Sequence, residues 1–126
     1  MTFPEDLKYT KDHEWIRVDG TTGTVGITDH AQGELGDVVF VELPASGKSV
    51  KHGDSFGTIE AVKAVSDLYA PVTGQILEAN GELSGNPELV NKDPYGKGWM
   101  VKIKIANPDE LKQLMDAKAY MASIGK

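Results

Sequence analysis

Short apolar runs, separated at close intervals by turn-forming residues, constrain the fold of this sequence more than any other feature. Gly, Pro, Asn and Asp recur at short intervals along the sequence, and the runs are only six to eight residues long. Runs of that length and spacing are typical of a barrel or sandwich built from short antiparallel strands. We predict strands at residues 14–20, 22–28, 37–43, 55–62, 65–70, 74–80 and 98–105.

The size and charge of the chain limit its organisation and its partners. With 126 residues it is long enough to bury one hydrophobic core, and no linker divides it, so we predict a single domain over residues 1–126. No apolar run is long enough to cross a bilayer, and a net charge of −6 argues against binding to nucleic acid or to an anionic membrane. The opening "MTFPEDLKY" has no apolar signal core. We therefore expect a cytoplasmic protein, or one of the mitochondrial matrix if the chain is a processed eukaryotic one.

The carboxyl end, "NPDELKQLMDAKAYMASIGK", has a helical pattern. Asn107 is a suitable N-cap, Pro108 suits a first turn, and Glu110 stands at the capping-box position. Gly125 suits a helix stop. We predict one amphipathic helix over about residues 108–123 that packs on the β core through Leu111, Leu114, Met115, Met121 and Ala122.

A single lysine, Lys63, interrupts the apolar segment "TIEAVKAVSDLYAPVTG" between two predicted strands. Most lysines are simply solvated, which is the ordinary interpretation of this one. The connection has no Gly, Asn or Asp for a primed two-residue turn, so we predict a looser, type I hairpin tip from which Lys63 projects. An exposed amine on a stiff tip suits covalent attachment of a cofactor. Only about one lysine in 10³ is deprotonated at neutral pH, so the attaching enzyme must supply an activated acyl donor.

The sequence does not support independent catalytic chemistry. It has no cysteine, which excludes disulfides and thiolate nucleophiles. "GKS" at residues 47–49 lacks the upstream Gly of a phosphate loop. The three histidines lack metal-ligand spacing, and we interpret His30 and His52 as ordinary polar surface residues. The chain is therefore not predicted to be an enzyme.

The segment "EAVKAVSDLYAPVTGQILEAN" around Lys63 closely resembles the lipoyl-attachment hairpin of the glycine cleavage system H-protein family. The resemblance continues through "YTKDHEWIRV", "GITDHAQGELGDVVFVELP", "ELVNKDPYGKGWMVKIK" and "PDELKQLMDAKAY", so it covers nearly the whole chain. It implies a mainly β fold, a lipoyl-type flattened β barrel or barrel-sandwich hybrid, with short helical segments and a C-terminal amphipathic helix. It also implies that Lys63 carries lipoic acid, bound as an amide.

The resemblance implies a carrier subunit and three partner enzymes. A pyridoxal-phosphate-dependent glycine decarboxylase removes CO₂ from glycine and passes the aminomethyl group to the lipoyl arm. A folate-dependent aminomethyltransferase takes the one-carbon unit and releases ammonia, and dihydrolipoamide dehydrogenase reoxidises the dithiol. A lipoate-attaching enzyme is the fourth implied partner. A diffusing shuttle of this kind is expected to be a monomer.

A carrier of this kind must also shield its cargo from water, so we expect a cleft beside Lys63. A carboxylate in that cleft could pair with a protonated amine. Glu14, in the "DHEW" segment that resembles the family's cleft, is the first candidate. Asp67, just beyond the turn, is the second. The alternative interpretation of each is a solvated or turn-stabilising acid, and Glu34 is assigned no role.

Other carrier classes fit the segment around Lys63 less well. A free-standing lipoyl domain of a 2-oxoacid dehydrogenase usually has Asp before the lysine, where this sequence has Val62. A biotin carrier would have methionines on both sides, where this sequence has Val62 and Ala64. A lipoate relay or binding module, which would donate lipoyl groups to other complexes, needs the same hairpin. The sequence does not separate that relay from glycine cleavage.

Overall fold

The computed structural model describes residues 2–126, which form nine strands, four short α-helices and one 3-10 helix. Every predicted strand is present, within one to three residues of its expected ends. The two-residue strands β1 and β5 and the helices α2 and α3 were not predicted. The strands are β1 (Lys8–Tyr9), β2 (Glu14–Asp19), β3 (Thr22–Ile27), β4 (Val38–Glu42), β5 (Ser49–Val50), β6 (Ser55–Ala61), β7 (Val65–Tyr69), β8 (Gly74–Ala79) and β9 (Val101–Ile105). The helices are α1 (Asp29–Leu35), α2 (Glu82–Gly85), α3 (Leu89–Lys92), the 3-10 helix (Pro108–Gln113) and α4 (Ala117–Ser123).

The strands form two antiparallel sheets. The larger has the order β1-β2-β3-β9-β8-β5, and the smaller has the order β4-β6-β7. β9 shows why such short segments become strands: Val101, Ile103 and Ile105 are buried, whereas the lysines between them point away. Buried side chains of both sheets form one core. The predicted mainly β, flattened barrel-sandwich fold is confirmed.

A second, smaller apolar cluster covers the other face of the large sheet where β1 and β2 pair. Successive side chains of a strand point to opposite faces of the sheet. Trp15 therefore lies in this second cluster, whereas its neighbour Ile16 lies in the main core. Tyr120 of α4 stacks on Tyr9 with ring centroids 4.8 Å apart. The indole N–H of Trp15 donates to the carbonyl oxygens of Ile27 and Pro94, each at 3.0 Å. The C-terminal helix α4 therefore completes this second apolar cluster.

The expected continuous helix over residues 108–123 is wrong, because the chain forms two helices with an extended break between them. In the break, Met115 pairs with Tyr9 of β1 through two backbone hydrogen bonds of 2.8 and 2.9 Å. The predicted apolar stripe consequently divides: Leu111 and Leu114 pack on the main core, and Met115 and Met121 on the second cluster.

The caps of this region are partly as predicted. The Asn107 side chain accepts a hydrogen bond from the Asp109 N–H and begins the 3-10 helix, and Gly125, with φ of 80°, follows α4. Glu110 does not close a capping box. Its carboxylate instead accepts hydrogen bonds from the Thr73 N–H at 2.7 Å and the Thr73 hydroxyl at 2.9 Å. Glu110 therefore ties the 3-10 helix to the loop before β8.

No helix within residues 2–126 is both long and apolar enough to span a membrane.

Candidate functional site

Lys63 lies at the tip of the hairpin between β6 and β7 and is exposed. The Ala61 N–H donates to the Ala64 carbonyl at 2.8 Å, and the Val62 N–H donates to the Asp37 carbonyl at 2.9 Å, just before β4. Among the non-glycine residues that the structure describes, only His13 has a positive φ, so the tip contains no primed turn. The prediction of an unprimed connection is confirmed. The bond to Asp37 also fixes the tip to the neighbouring strand.

The side chains beside Lys63 leave an apolar surface around it. Val62 is 73% exposed and Val65 is 68% exposed. Phe40, which lies across the sheet from Glu60 in β6, is also exposed. A protein that binds the tip would therefore find apolar contacts close to the lysine amine.

The aliphatic part of Lys63 lies against Gly36, the residue that ends α1. A Cβ at Gly36 would lie 3.3 Å from both Cδ and Cε of Lys63. Gly36 also has φ of 78°, which favours glycine. Asn91 of α3 holds this corner, since its amide donates to the Gly36 carbonyl at 2.9 Å and its carbonyl accepts from the Val38 N–H at 2.9 Å.

Next to this corner is a cavity of about 130 Å³, which we call the arm cleft. It lies between the start of β2, helix α1 and strand β7. Both predicted carboxyl residues, Glu14 and Asp67, line it. Leu35 also lines it and directly precedes Gly36, the residue that the Lys63 side chain contacts. The complete lining is Asp12, His13, Glu14, Ile27, Ala31, Glu34, Leu35, Ile59, Ser66, Asp67 and Leu68.

Glu14 is 2% exposed, and its carboxyl group has two hydrogen-bond donors. The Thr10 hydroxyl donates to Oε1 at 2.6 Å, and the Tyr69 N–H donates to Oε2 at 3.2 Å. Burial nevertheless raises the pKa of Glu14 from 4.5 to about 8, because it outweighs these two bonds, which lower the pKa. At neutral pH Glu14 is therefore mostly protonated.

Asp67 differs from Glu14 in being exposed at the edge of the arm cleft. Its Oδ1 lies 3.4 Å from the Ser55 hydroxyl of the paired strand β6. Of the two predicted carboxyl groups on this cavity, Glu14 is therefore buried and Asp67 is solvated.

His13 and Glu34 also line the arm cleft, and sequence reasoning did not select either of them. His13 has φ of 70°, in the left-handed region that few non-glycine residues adopt. Its Nδ1 lies 2.8 Å from the hydroxyl of Tyr120 in α4. Burial and the nearby His30 lower the pKa of His13. In the sequence, the only indication that His13 belongs to the site is that it directly precedes Glu14.

The interpretation of His30 as an ordinary polar surface residue is wrong. Its side chain is only 17% exposed, and its ring lies against His13 with centroids 5.0 Å apart. Its Nδ1 is buried with no hydrogen-bond partner in the described part of the chain. His52 is exposed, as expected.

Two larger depressions lie elsewhere on the surface. One of about 530 Å³ includes Tyr69 and His52 and reaches the far side of Glu14. The other, of about 550 Å³, runs along β5 and the end of β9 and contains none of the candidate residues. Within residues 2–126 no group of three or more acidic or histidine side chains is arranged to hold a metal ion. Lys63 lines none of these three cavities, and the arm cleft is the one whose lining includes Leu35, next to Gly36.

Comparison with known proteins identifies the family. Residues 7–126 match the family described as "Glycine cleavage H-protein". This chain belongs to that family. It is 53% identical to the glycine cleavage system H protein of Staphylococcus saprophyticus over 126 residues, which cover 100% of both chains. It is 57% identical to the corresponding protein of Carboxydothermus hydrogenoformans, over 93% of this chain and 90% of the relative.

A solved structure of the H-protein family has the same fold. The crystal structure of a glycine cleavage system H protein from Mycobacterium marinum superposes with a TM-score of 0.91 at 40% sequence identity. The match covers 98% of this chain and 100% of the other. Members of the H-protein family are carrier subunits of the glycine cleavage system that bear lipoate, and they are not themselves catalysts.

Proposed function

We propose that Lys63 is the lipoylated residue and that this protein carries an aminomethyl group between the enzymes of glycine cleavage. One observation supports this most directly: an exposed lysine on a fixed hairpin tip lies beside a cleft that contains carboxyl groups. A lysine that was only part of a solvated surface would need neither the fixed tip nor the adjoining cleft.

The residues present fit a lipoyl group. Lys63 is exposed and so accessible to an attaching enzyme, and its apolar stem lies against Gly36, next to a residue of the cleft wall. The cleft wall contains apolar side chains suited to a hydrocarbon arm, among them Ile27, Leu35 and Leu68. When bound, the lipoyl group supplies a disulfide that can be reduced and can bear a one-carbon unit on sulfur.

Glu14 and Asp67 are the residues that we propose to hold a protonated amine in the cleft. A cation beside Glu14 lowers the pKa of its carboxyl group, because the opposite charge favours the ionised form. The Thr10 and Tyr69 donors then stabilise the resulting carboxylate. Asp67 adds a second carboxyl group at the open side of the cleft. The apolar walls of the cleft would limit the access of water, which would otherwise destroy the cargo.

The proposed partners are the other components of glycine cleavage. They are the pyridoxal-phosphate-dependent decarboxylase, the folate-dependent aminomethyltransferase and dihydrolipoamide dehydrogenase, together with an enzyme that attaches lipoate. Because these relatives are bacterial proteins, we also propose that the protein works in the cytoplasm. A diffusing shuttle would most simply be a monomer, and we propose that state as well. Cell fractionation and light scattering test these two points.

Intact mass spectrometry tests the assignment of Lys63. The wild type, Lys63→Arg and Lys48→Arg are each expressed in cells that have lipoate and an attaching enzyme. We expect a single lipoyl increment on the wild type and on Lys48→Arg, whose lysine lies in another exposed turn. Lys63→Arg should have none. An increment that persists in Lys63→Arg, or that is missing from folded wild type, contradicts the proposal.

A functional assay then tests the carrier role. The lipoylated protein should support exchange of bicarbonate into glycine by a glycine decarboxylase, and Lys63→Arg should not. A lipoylated protein that supports no exchange, but donates its lipoyl group to another apoprotein, would identify it as a lipoate relay.

A further inference from the structure

A chain of hydrogen bonds connects the arm cleft with the C-terminal helix. The His13 Nδ1 lies 2.8 Å from the Tyr120 hydroxyl, which lies 2.8 Å from Oγ1 of Thr28. Thr28 is the N-cap of α1, and its Oγ1 accepts the Ala31 N–H at 3.1 Å. Thr28 and Tyr120 are fully buried. Their hydroxyl hydrogens must therefore find acceptors within the protein.

These hydrogen bonds can be oriented in two ways, and only one of them gives every hydroxyl hydrogen an acceptor. Within the described residues, Thr28 has no acceptor for its hydroxyl other than Tyr120. If Thr28 donates to Tyr120, then Tyr120 donates its own hydrogen to Nδ1 of His13, and no donor is left over. In the reverse direction the buried Thr28 hydroxyl has no acceptor, which is unfavourable. Burial also raises the pKa of Tyr120, so its hydroxyl keeps the hydrogen that it donates.

We infer that Tyr120 and Thr28 hold His13 as the tautomer protonated on Nε2, so that His13 presents a hydrogen-bond donor, not a base, to the arm cleft. His13 lines the cleft, and its Nδ1, the nitrogen without a hydrogen in this tautomer, is occupied by Tyr120. The Nε2–H can donate to a carboxylate or a sulfur but cannot accept a proton from an amine.

The consequence for the cargo rests on the function proposed above. An amine must lose its proton before its lone pair can expel a neighbouring thiolate. With Nδ1 occupied, His13 does not remove that proton, so an amine in the cleft stays charged and is balanced by Glu14 and Asp67. His13 is thus a positioning residue of the cleft, and the C-terminal helix sets its role.

Other ionisable groups surround His13 and bear on its titration. His30 is the nearest, with its ring 5.0 Å away, and it disfavours a charge on His13. Asp12 and Glu34 favour that charge. Glu14 and Asp67 line the same cleft as His13, and Tyr120 of α4 contacts its ring nitrogen.

Nitrogen-15 spectra of the histidine rings in the unmodified protein test the tautomer directly. At neutral pH we expect His13 to be protonated on Nε2 and unprotonated on Nδ1. In Tyr120→Phe the ratio of the Nε2-protonated to the Nδ1-protonated tautomer should fall about five-fold. The pKa of His13 should rise by up to about one unit, since one hydrogen bond to the neutral ring is lost. The ring of exposed His52 provides an internal reference in every spectrum.

Two further variants separate this inference from a general loss of packing. Tyr9→Phe removes a hydroxyl from the same cluster, one that donates to the Pro4 carbonyl at 2.6 Å, and should leave His13 as in the wild type. Thr28→Ser keeps the hydroxyl and should also preserve the tautomer. A wild-type His13 protonated on Nδ1, or equal effects of Tyr120→Phe and Tyr9→Phe, would overturn the inference. The wild-type spectrum decides even if a variant fails to fold.

Ammonia release from glycine-loaded protein provides a second measurement. Without the aminomethyltransferase, we expect release about five-fold faster in Tyr120→Phe than in Tyr9→Phe, matching the change in tautomer. Equal rates would overturn the protective consequence. A protein with the expected ring spectrum but no lipoyl group on Lys63 would contradict only the proposed function. A lipoylated protein with His13 protonated on Nδ1 would contradict only this inference.

Discussion

Lys63 and Gly36 are in direct contact although 27 residues separate them in the sequence: a Cβ at Gly36 would come within 3.3 Å of two carbons of the Lys63 stem. The contact brings the end of helix α1 under the hairpin tip. It gives the lysine stem a defined path along the corner that leads to the arm cleft. The shape of this path depends on the absence of a side chain at position 36.

Gly36→Ala should therefore have two separable effects. At Gly36 φ is 78° and ψ is −159°, a backbone region that is almost restricted to glycine, so alanine should be unfavourable by roughly 1–3 kcal/mol, and the new methyl group should also displace the Lys63 stem. Gly47→Ala is a control for a positive φ, because Gly47 has φ of 94° but nothing lies within 4 Å of its Cβ position. Urea unfolding should show a loss of stability in both variants. Only Gly36→Ala should change the rate of lipoate attachment, and equal rates would show that the contact does not guide Lys63.

Glu14→Gln should change how stability depends on pH. The pKa of Glu14 is about 8 in the folded protein and near 4.5 when exposed, so between these values unfolding releases its proton. The stabilising contribution is therefore complete below pH 4.5 and is lost as the pH rises toward 8. Relative to Glu14→Gln, the wild type should lose up to about 1.4 kcal/mol of unfolding free energy per pH unit in this range.

Urea unfolding at several pH values between 5 and 8 measures this difference in slope. Glu5→Gln removes the same formal charge from an exposed position and controls for the change in net charge. Parallel stability curves for wild type and Glu14→Gln would mean that Glu14 is charged in the folded protein at neutral pH.

Asn91→Ala should loosen the corner that supports Lys63. It removes the acceptor of the Val38 N–H and the donor to the Gly36 carbonyl. We expect a loss of about 1–3 kcal/mol in unfolding free energy and faster hydrogen exchange at Val38. Asn86→Ala, at an exposed asparagine before α3, is the control. Unchanged exchange at Val38 would show that Asn91 does not hold the corner.

Glu110→Ala should weaken the attachment of the C-terminal region to the sheet. Thr73 would lose the acceptor of both its N–H and its hydroxyl, which should cost about 1–3 kcal/mol. Asp109→Ala removes a neighbouring exposed carboxylate whose ion pair with Lys112 is long, at 3.7 Å, and should cost less. Thermal unfolding of the two variants compares these losses, and the same melting temperature for both would contradict the assignment.

The strands were predictable because their pattern is local. In β9, buried and exposed side chains alternate over five residues, and this can be read directly from "VKIKI". Strands β1 and β5 contain two residues each, too few to establish an alternation. The break in the C-terminal helix was not predictable for a different reason. It depends on Met115 pairing with Tyr9, more than a hundred residues earlier in the chain.

The candidate site was predictable only in part. Lys63 was found because an isolated charge in an apolar hairpin is a local signal, which the resemblance to the family made specific. Glu14 and Asp67 were selected from the same resemblance, and both line the arm cleft. The setting of His13 was missed because it depends on Tyr120 and His30, which come from two distant helices. A sequence pattern does not record such long-range contacts.

The position of β9 in the large sheet has a consequence for how the protein is made. β9 pairs with β3 on one side and with β8 on the other, yet it is the last strand in the chain. While the ribosome is still synthesising residues 101–105, β3 and β8 have no partner between them, and Trp15 has no α4 to cover it. The large sheet therefore cannot close until residues 101–105 have been made, and the hairpin that bears Lys63 is synthesised before that point.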